Sequence, residues 1–181
     1  MSKPIISKNC RVRDPDHFSV GPFSIVDDFC YFSTKVAIGK CSHIAAGCTV
    51  GGGKARSFVL GDYCSVSSGV RIWCSSDDFV SDIVTIIPEC AGKVKENLIT
   101  GDVKIGNYCA IGANSVIMPK NTLPEGVAVG ALTFIPAAFV FKPWSVYAGI
   151  PARFIKKRDR KSVLRQAAKI ESSIGSSATE D

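Results

Sequence analysis

The sequence predicts an all-β fold in which short parallel strands stack as triangular coils around one continuous core. Large apolar residues recur at every sixth position, in three blocks separated by two breaks. This period matches neither the 3.6-residue repeat of a helix nor the two-residue repeat of a strand. It matches a short strand followed by a corner, so that three hexads, about 18 residues, close one coil. The positions are Val20, Val26, Phe32, Ile38, Ile44, Val50, Leu60, Val66, Ile72, Ile99, Ile105, Ile111, Ile117, Leu123, Val129 and Ile135.

No polar residue occupies these positions, although only 46% of the chain is apolar. Chance alone gives such a run in roughly a few cases per million, before allowance for the choice of phase and breaks. A second register of mostly small or β-branched residues lies four positions after each large one. It comprises Ser24, Cys30, Val36, Ser42, Cys48, Cys64, Val70, Ser76, Val103, Cys109, Ser115, Asn121, Val127 and Thr133. We expect these residues inside the coil, and glycines such as Gly39 and Gly112 where a corner is tight.

The breaks in the repeat divide the chain into one coiled domain with short appendages. Residues 1–17 are polar, and we expect this segment to cap the first coil. Residues 18–145 predict the coils, with an extended loop at about 73–98 whose apolar run, Ile83 to Pro88, favours burial against a neighbouring subunit. Residues 146–181 predict a basic segment, a short amphipathic helix and a tail that frays.

Composition restricts the classes of function. A net charge of +6 fits an anionic ligand such as a nucleotide, and the chain lacks the aromatic and basic alternation of single-strand nucleic-acid binders. Four of the eight cysteines occupy the small interior register, which favours reduced core thiols, and the absence of a CxxC motif argues against zinc. With no signal peptide and no membrane-length apolar run, we expect a cytoplasmic protein.

Two motifs carry a family resemblance. Residues 105–117 read IGNYCAIGANSVI and residues 143–158 read PWSVYAGIPARFIKKR. Over roughly residues 18–158 the chain resembles the hexapeptide-repeat acyltransferases, in particular the sugar O- and N-acetyltransferases. The resemblance implies a left-handed parallel β-helix, a homotrimer and acetyl-CoA as co-substrate, with no metal. It further implies acetyl transfer to a hydroxyl or amine of a sugar or nucleotide sugar, typical of surface-polysaccharide biosynthesis.

Acetyl transfer needs a base for the acceptor, and imidazole suits that role because it titrates near neutral pH. His43 closes the hexad IGKCSH at a corner and is our candidate base; His17, in a turn before the first coil, is the alternative. The carboxylates nearest the corners could orient His43, hold the acceptor, or be ordinary polar corner residues. They are Asp27, Asp28, Asp77 and Asp78.

The resemblance also implies where acetyl-CoA binds. Backbone groups of the later coils and cations of the closing motif would meet it, the cations at the phosphates. These residues are Gly112, Ala113, Gly130 and Ala131 for the backbone contacts, and Arg153, Lys156 and Lys157 for the phosphates.

Other interpretations remain open. The first break, residues 51–57, is a glycine run with a lysine but lacks the GK[S/T] ending of a phosphate loop, so it is either a flexible loop or a substrate-facing one. A non-catalytic β-helix that acts as a scaffold, or transfer to a non-sugar acceptor, is the alternative function. A carbonic anhydrase of this fold needs three histidine ligands, and the chain has two.

Overall fold

Strands of successive coils pair in parallel to form three walls in the computed structural model, which describes residues 2–80 and 97–177. The first wall contains β1 (Ile5–Ile6), β4 (Ile25–Val26), β6 (His43–Ile44), β8 (Ser65–Val66), β13 (Ala110–Ile111), β16 (Ala128–Val129) and β18 (Ser145–Ala148). The second contains β2 (Arg11–Val12), the starts of β5 (Tyr31–Ile38) and β7 (Thr49–Leu60), β9 (Arg71–Trp73), β14 (Val116–Ile117) and β17 (Phe134–Ile135). The third contains β3 (Phe18–Val20), the ends of β5 and β7, β12 (Val103–Ile105) and β15 (Thr122–Leu123).

The predicted core is confirmed for both registers in the coils. From Val26 to Ile72, and from Ile105 to Ile135, every predicted large residue is buried. The stacked side chains form one continuous column, as the six-residue period requires. The small register is buried as well, from Ser24 to Val70 and from Val103 to Thr133.

Small interior residues do more than fit the available space. Their side chains donate hydrogen bonds to corner carbonyls of the next coil, for example Ser24 Oγ to Gly39 O at 2.7 Å and Ser115 Oγ to Gly130 O at 2.9 Å. Thiols do the same, as with Cys30 Sγ to Ala45 O at 3.3 Å. A buried carbonyl without a partner costs free energy, so a donor at this position stabilises the corner that it reaches.

The seven cysteines of the described residues are free thiols, which confirms the expected reduced core cysteines. Hydrogen bonding with the side chain of the neighbouring Cys48, in which Cys30 keeps the proton, and burial raise the pKa of Cys30. Burial likewise raises the pKa of Cys74 to about 11. These thiols therefore stay protonated at neutral pH and act as donors in the core.

The corner glycines have a different role from the one expected. A Cβ on Gly112 would lie 2.3 Å from the backbone nitrogen of Ala131, so the close approach of the next coil excludes a side chain there. Positive φ falls instead on the third residue of the corner, which is strained where it is not glycine, as at Phe23 and Tyr63 with φ values of 60° and 56°, and relaxed at Gly47 with φ +72°. Tyr63 also stacks on Tyr108 of the next coil at 5.5 Å, a contact that helps to hold this conformation.

Two parts of the repeat differ from the prediction. Ile5–Ile6 and Arg11–Val12 already pair with β4 and β5, so the coils begin before residue 18, because the 3₁₀ turn Pro15–His17 only interrupts the spacing. Ile99 and Ser76 are not in the coil interior. They belong to an antiparallel hairpin of β10 (Ser75–Asp77) and β11 (Leu98–Thr100), and Cys74 takes the buried corner position. The apolar run of residues 83–88 lies outside the described residues.

The C-terminal segment folds back along the coils. β19 (Arg153–Lys157) pairs antiparallel with β18, and α1 (Arg160–Ser177), longer than the short helix predicted, follows it. Asp159 caps the helix by accepting hydrogen bonds from the backbone nitrogen and hydroxyl of Ser162, which lower the pKa of Asp159. Within the described part of the chain, no helix is long and apolar enough to cross a membrane.

The donor role of the small register is tested at Ser42, whose Oγ donates to Gly61 O at 2.8 Å and accepts from Cys64 N at 2.9 Å. Ser42→Ala removes both bonds in a buried corner. We expect the free energy of unfolding to fall by about 1–3 kcal/mol, measured by denaturant titration. Ser65→Ala, on the exposed face of the same wall, is the matched control and should change it by less than about 0.5 kcal/mol. Equal losses in the two variants would contradict the donor role.

Candidate active site

His43 lies on the outer face of the first wall and is paired with a carboxylate. Its Nε2 is 2.8 Å from Oδ2 of Asp27, and the two side chains are 44% and 41% exposed. Asp27 begins the corner after β4, where its backbone nitrogen donates to Ile44 O at 2.9 Å. This bond fixes the carboxylate beside the imidazole ring of the next coil. When Nε2 donates to Asp27, Nδ1 is the unprotonated nitrogen and can accept a proton.

The neighbouring carboxylate of Asp28 has other partners. Its Oδ1 accepts hydrogen bonds from the hydroxyl of Ser7 and, at 3.2 Å, from Nδ2 of Asn9. Both donors belong to the N-terminal segment, so these bonds connect that segment to the first corner.

The alternative histidine lies on another corner. His17 Nδ1 is 3.0 Å from Asp14 Oδ1, within the single turn that joins the second wall to the third. His43 and Asp27 lie where the first wall meets the second. The two histidines therefore cannot act on one bound substrate within a single coil corner.

Asp77 and Asp78 lie on the hairpin that projects between the second and third walls. Asp78 accepts hydrogen bonds from Val80 N at 3.1 Å and from Asn97 Nδ2 at 3.4 Å, and its own N–H donates to Asn97 O. The four predicted carboxylates thus separate into Asp27 and Asp28 at one corner, and Asp77 and Asp78 at another.

Small outward residues connect His43 to the end of the first wall. In register above it stand Ser65, Ala110, Ala128 and Val146, and β19 follows beyond β18. Five strand spacings separate His43 from Lys156, or about 24 Å. This column forms a shallow track between a histidine at one end and a basic strand at the other.

Comparison with known proteins identifies the family. No protein-family model matches the chain. AntD, an N-acyltransferase from Bacillus cereus whose crystal structure contains dTDP and 3-hydroxybutyryl-CoA, is 34% identical with a TM-score of 0.83, over 94% of this chain and 88% of AntD. The chain belongs to the hexapeptide-repeat acyltransferase family. It is an acyltransferase, and its fold is the left-handed parallel β-helix expected from the resemblance.

Two further proteins extend the comparison. An Escherichia coli dTDP-4-amino-4,6-dideoxy-D-glucose acyltransferase is 29% identical over an alignment of 182 positions, which covers 94% of this chain and 90% of that protein. A maltose O-acetyltransferase from Clostridium difficile 630 is 21% identical with a TM-score of 0.60, over 78% of this chain and 70% of its own, and shows the shared fold alone.

In this acyltransferase the predicted backbone contacts stack on one corner. Gly112 and Gly130 occupy equivalent positions of successive coils, directly after β13 and β16. Ala113 is half-buried and Ala131 is exposed, on the corner column that begins lower down with Asp27. The structure therefore places the two Gly-Ala pairs on the same corner as the His43–Asp27 pair.

Cations of the closing motif divide into exposed and anchored residues. Arg153, Lys156 and Lys157 are exposed on β19. Arg158 instead reaches across the coils, where its Nη1 donates to the carbonyls of Tyr108 and Gly126. The motif thus offers three side chains to a ligand and uses the fourth to hold the segment.

Sequence reasoning missed the contacts that fix α1 of the acyltransferase. The carboxylate of Glu171 accepts hydrogen bonds from Lys40 Nζ and from the hydroxyl of Tyr63. Both bonds lower the pKa of Glu171, and the bond from Lys40 has the larger effect. Arg160 lies over the ring of Trp144 at 5.5 Å. No sequence signal gives these contacts, because the helix crosses three coils before it reaches Tyr63.

Proposed function

We propose that the protein transfers an acyl group from acyl-CoA to the amine of a nucleotide-linked amino sugar of the dTDP-4-amino-4,6-dideoxyglucose class. The observation that carries this proposal is the similarity to AntD over nearly the full length of both chains. AntD structures contain dTDP-4-amino-4,6-dideoxyglucose with coenzyme A as well as dTDP with 3-hydroxybutyryl-CoA. The E. coli relative is named for the same acceptor. The cytoplasmic location and the role in surface-polysaccharide biosynthesis stay predictions.

The spacing of a serine and an aspartate supports the same acceptor. AntD structures include variants in which one serine, or an aspartate ten positions after it, is replaced. In this chain only Ser67 with Asp77 and Ser68 with Asp78 have that spacing. We assign Asp77 and Asp78 to the acceptor on this ground, because a carboxylate can hold and orient an amine by charge-assisted hydrogen bonds.

Acyl-CoA fits the track along the first wall. The exposed cations of β19 suit the phosphates, and the small outward residues Ser65, Ala110 and Ala128 leave room for an extended pantetheine arm. The Gly-Ala pairs at residues 112–113 and 130–131 border this track and offer backbone groups to the amides of that arm. The thioester would then lie toward the His43 end.

The His43–Asp27 pair supplies base catalysis in this proposal. The amine nitrogen attacks the thioester carbonyl and forms the new C–N bond, and His43 Nδ1 takes the proton that the nitrogen loses. As the C–S bond breaks, the imidazolium returns that proton to the coenzyme A thiolate. Asp27 acts as a positioning residue, because it fixes the ring and stabilises the imidazolium that forms.

One chain cannot assemble this site, since His43 and the hairpin carboxylates lie on different corners. We propose a homotrimer in which the hairpin corner of one chain meets the first wall of the next. Exposed apolar residues at the corner beside that wall support such contact. Phe29, Leu132 and Ile150 are 73%, 64% and 77% exposed on that corner, Phe29 near one end and the other two on adjacent coils near the other.

The acceptor is tested by mass spectrometry of acyl transfer from acetyl-CoA and 3-hydroxybutyryl-CoA. We expect a stable amide from dTDP-4-amino-4,6-dideoxyglucose and no product from the matched sugar nucleotide with a hydroxyl in place of the amine. A product from the hydroxyl compound alone would contradict N-acylation. Failure of every sugar acceptor would favour a non-sugar acceptor, and failure to bind coenzyme A as well would favour a scaffold.

The coenzyme A phosphates are tested by replacing Lys156 and Lys157 with Ala. Loss of two cations should raise the KM for acyl-CoA by about tenfold or more and leave the KM for the acceptor nearly unchanged. Steady-state kinetics with each substrate varied in turn measures both constants. A parallel rise in both KM values would instead indicate a folding defect. Lys104→Ala, which removes an exposed cation from the third wall, is the matched control and should change neither KM.

Base catalysis is tested with His43→Asn, which keeps much of the side-chain size but cannot take the proton. We expect kcat to fall by about 10²- to 10⁴-fold with the affinity for coenzyme A unchanged. Asp27→Asn should cause a smaller loss, and the double variant should be no slower than His43→Asn, because Asp27 acts through His43. Near-normal turnover of His43→Asn would reject His43 as the base. Direct attack by a neutral amine would then be the mechanism.

Co-expression distinguishes a shared site from one contained in a single chain. In the proposed trimer, His43→Asn and Asp78→Asn chains should each show strongly reduced activity when expressed alone. Mixed trimers would contain some sites with both native residues, so part of the activity should return. No recovery in mixed trimers of confirmed composition would contradict a site between chains.

A further inference from the structure

A basic bulge projects from the corner that also carries the hairpin. Strand β5 pairs with β7 at Thr34 with Gly53 and next at Lys35 with Ser57. Between these two pairs β5 advances by one residue and β7 by four, so residues 54–56 of β7 are extruded from the wall. Gly53 has φ +71° and no atom within 4 Å of a Cβ position, which leaves the base of the bulge open.

Contacts hold the bulge and the hairpin together as one unit. Arg56 Nε donates to Thr100 Oγ1 at 2.6 Å, and Ser57 N donates to Asp102 Oδ1 at 2.9 Å. Cys74 N, just before the hairpin, donates to Gly51 O at 2.6 Å. The bulge therefore lies one coil below Asp77 and Asp78, a rise of about 4.8 Å between neighbouring strands.

Charge is divided between these two levels. Lys54 is exposed and Arg56 is half-buried on the lower level, with Lys35 exposed one coil further down, whereas Asp77 and Asp78 stand on the upper level. Within residues 2–80 and 97–177, none of these three cations forms a salt bridge with a carboxylate. Such cations, on an open and glycine-hinged bulge, suit an anion from solution.

We infer that the bulge of Gly51–Ser57 binds the diphosphate of the nucleotide-sugar acceptor, with Lys54 and Arg56 as its principal cations. The assignment rests on the proposed acceptor. That acceptor has a diphosphate on one side of the sugar ring and an amine on the opposite side. The cations of the bulge would face the diphosphate, and the carboxylates of the next coil would face the amine on the other side of the same sugar ring. This arrangement fixes the direction in which the sugar lies.

Calorimetric titration with dTDP tests the bulge without requiring turnover. Loss of one charge-assisted contact corresponds to about tenfold weaker binding, so Lys54→Gln should raise the Kd for dTDP by about that factor. Ala55→Glu changes an exposed residue and introduces a repelling carboxylate, and should weaken binding at least as much. Lys104→Gln, which removes an exposed cation from the third wall, is the matched control and should bind dTDP as the wild type does.

Kinetics separates this inference from the proposed function. The bulge variants should raise the KM for the sugar nucleotide while the KM for acyl-CoA stays unchanged, and should not affect the slow acylation of a 4-amino sugar that lacks the diphosphate. Wild-type affinity for dTDP and wild-type KM in both bulge variants would overturn the assignment even if the amide forms. If dTDP binding depends on Lys54 but no amino sugar is acylated, the diphosphate site stands and the proposed acceptor is wrong.

Discussion

The stacked coils depend on one recurring interaction, in which a buried side chain of one coil donates a hydrogen bond to a backbone carbonyl at a corner of the next. Side-chain donors lie fifteen residues before their acceptors at Ser24, Cys30 and Ser115. This explains why a core of Val, Ile and Leu also contains Ser, Thr, Asn and Cys. A shift of one residue would turn donors outward and apolar side chains away from the core, so the same bonds also define the register between coils.

A rigid register lets the molecule separate support from chemistry. His43 and Asp27 come from successive coils of the regular wall, where backbone ladders fix both positions to within a rotamer. The hairpin and the bulge leave from a single corner, where added residues do not alter the pairing of the walls. The proposed acceptor contacts can therefore differ between relatives by changes at one corner, while the wall that carries the proposed base and acyl-CoA track keeps its geometry.

Sequence alone predicted the coils wherever each hexad directly follows the last. It failed at Ile99, because the hairpin has apolar residues of its own at a spacing that imitates the repeat. It also missed the first coil, since Ile6 and Val12 keep the period but the turn at Pro15–His17 adds two residues before Val20.

The sequence could name residues for the candidate site but not how they are arranged. His43 and Asp27 were both candidates, yet only the pairing of Ile25 with His43 shows which carboxylate meets the ring. The break at residues 51–57 was visible in the sequence, but the form of the bulge was not, because it depends on how many residues the partner strand advances across the same corner.

The reversal of β19 has a consequence for solubility at high concentration. A parallel solenoid has an unpaired strand edge at each end, and identical chains can join these ends into an open-ended fibre. Here the last strand runs against the direction of the wall, and all five of its residues are exposed, three of them cations. The first coil of another copy would meet a strand of the wrong polarity and a line of positive charge, so the fold terminates its own growth.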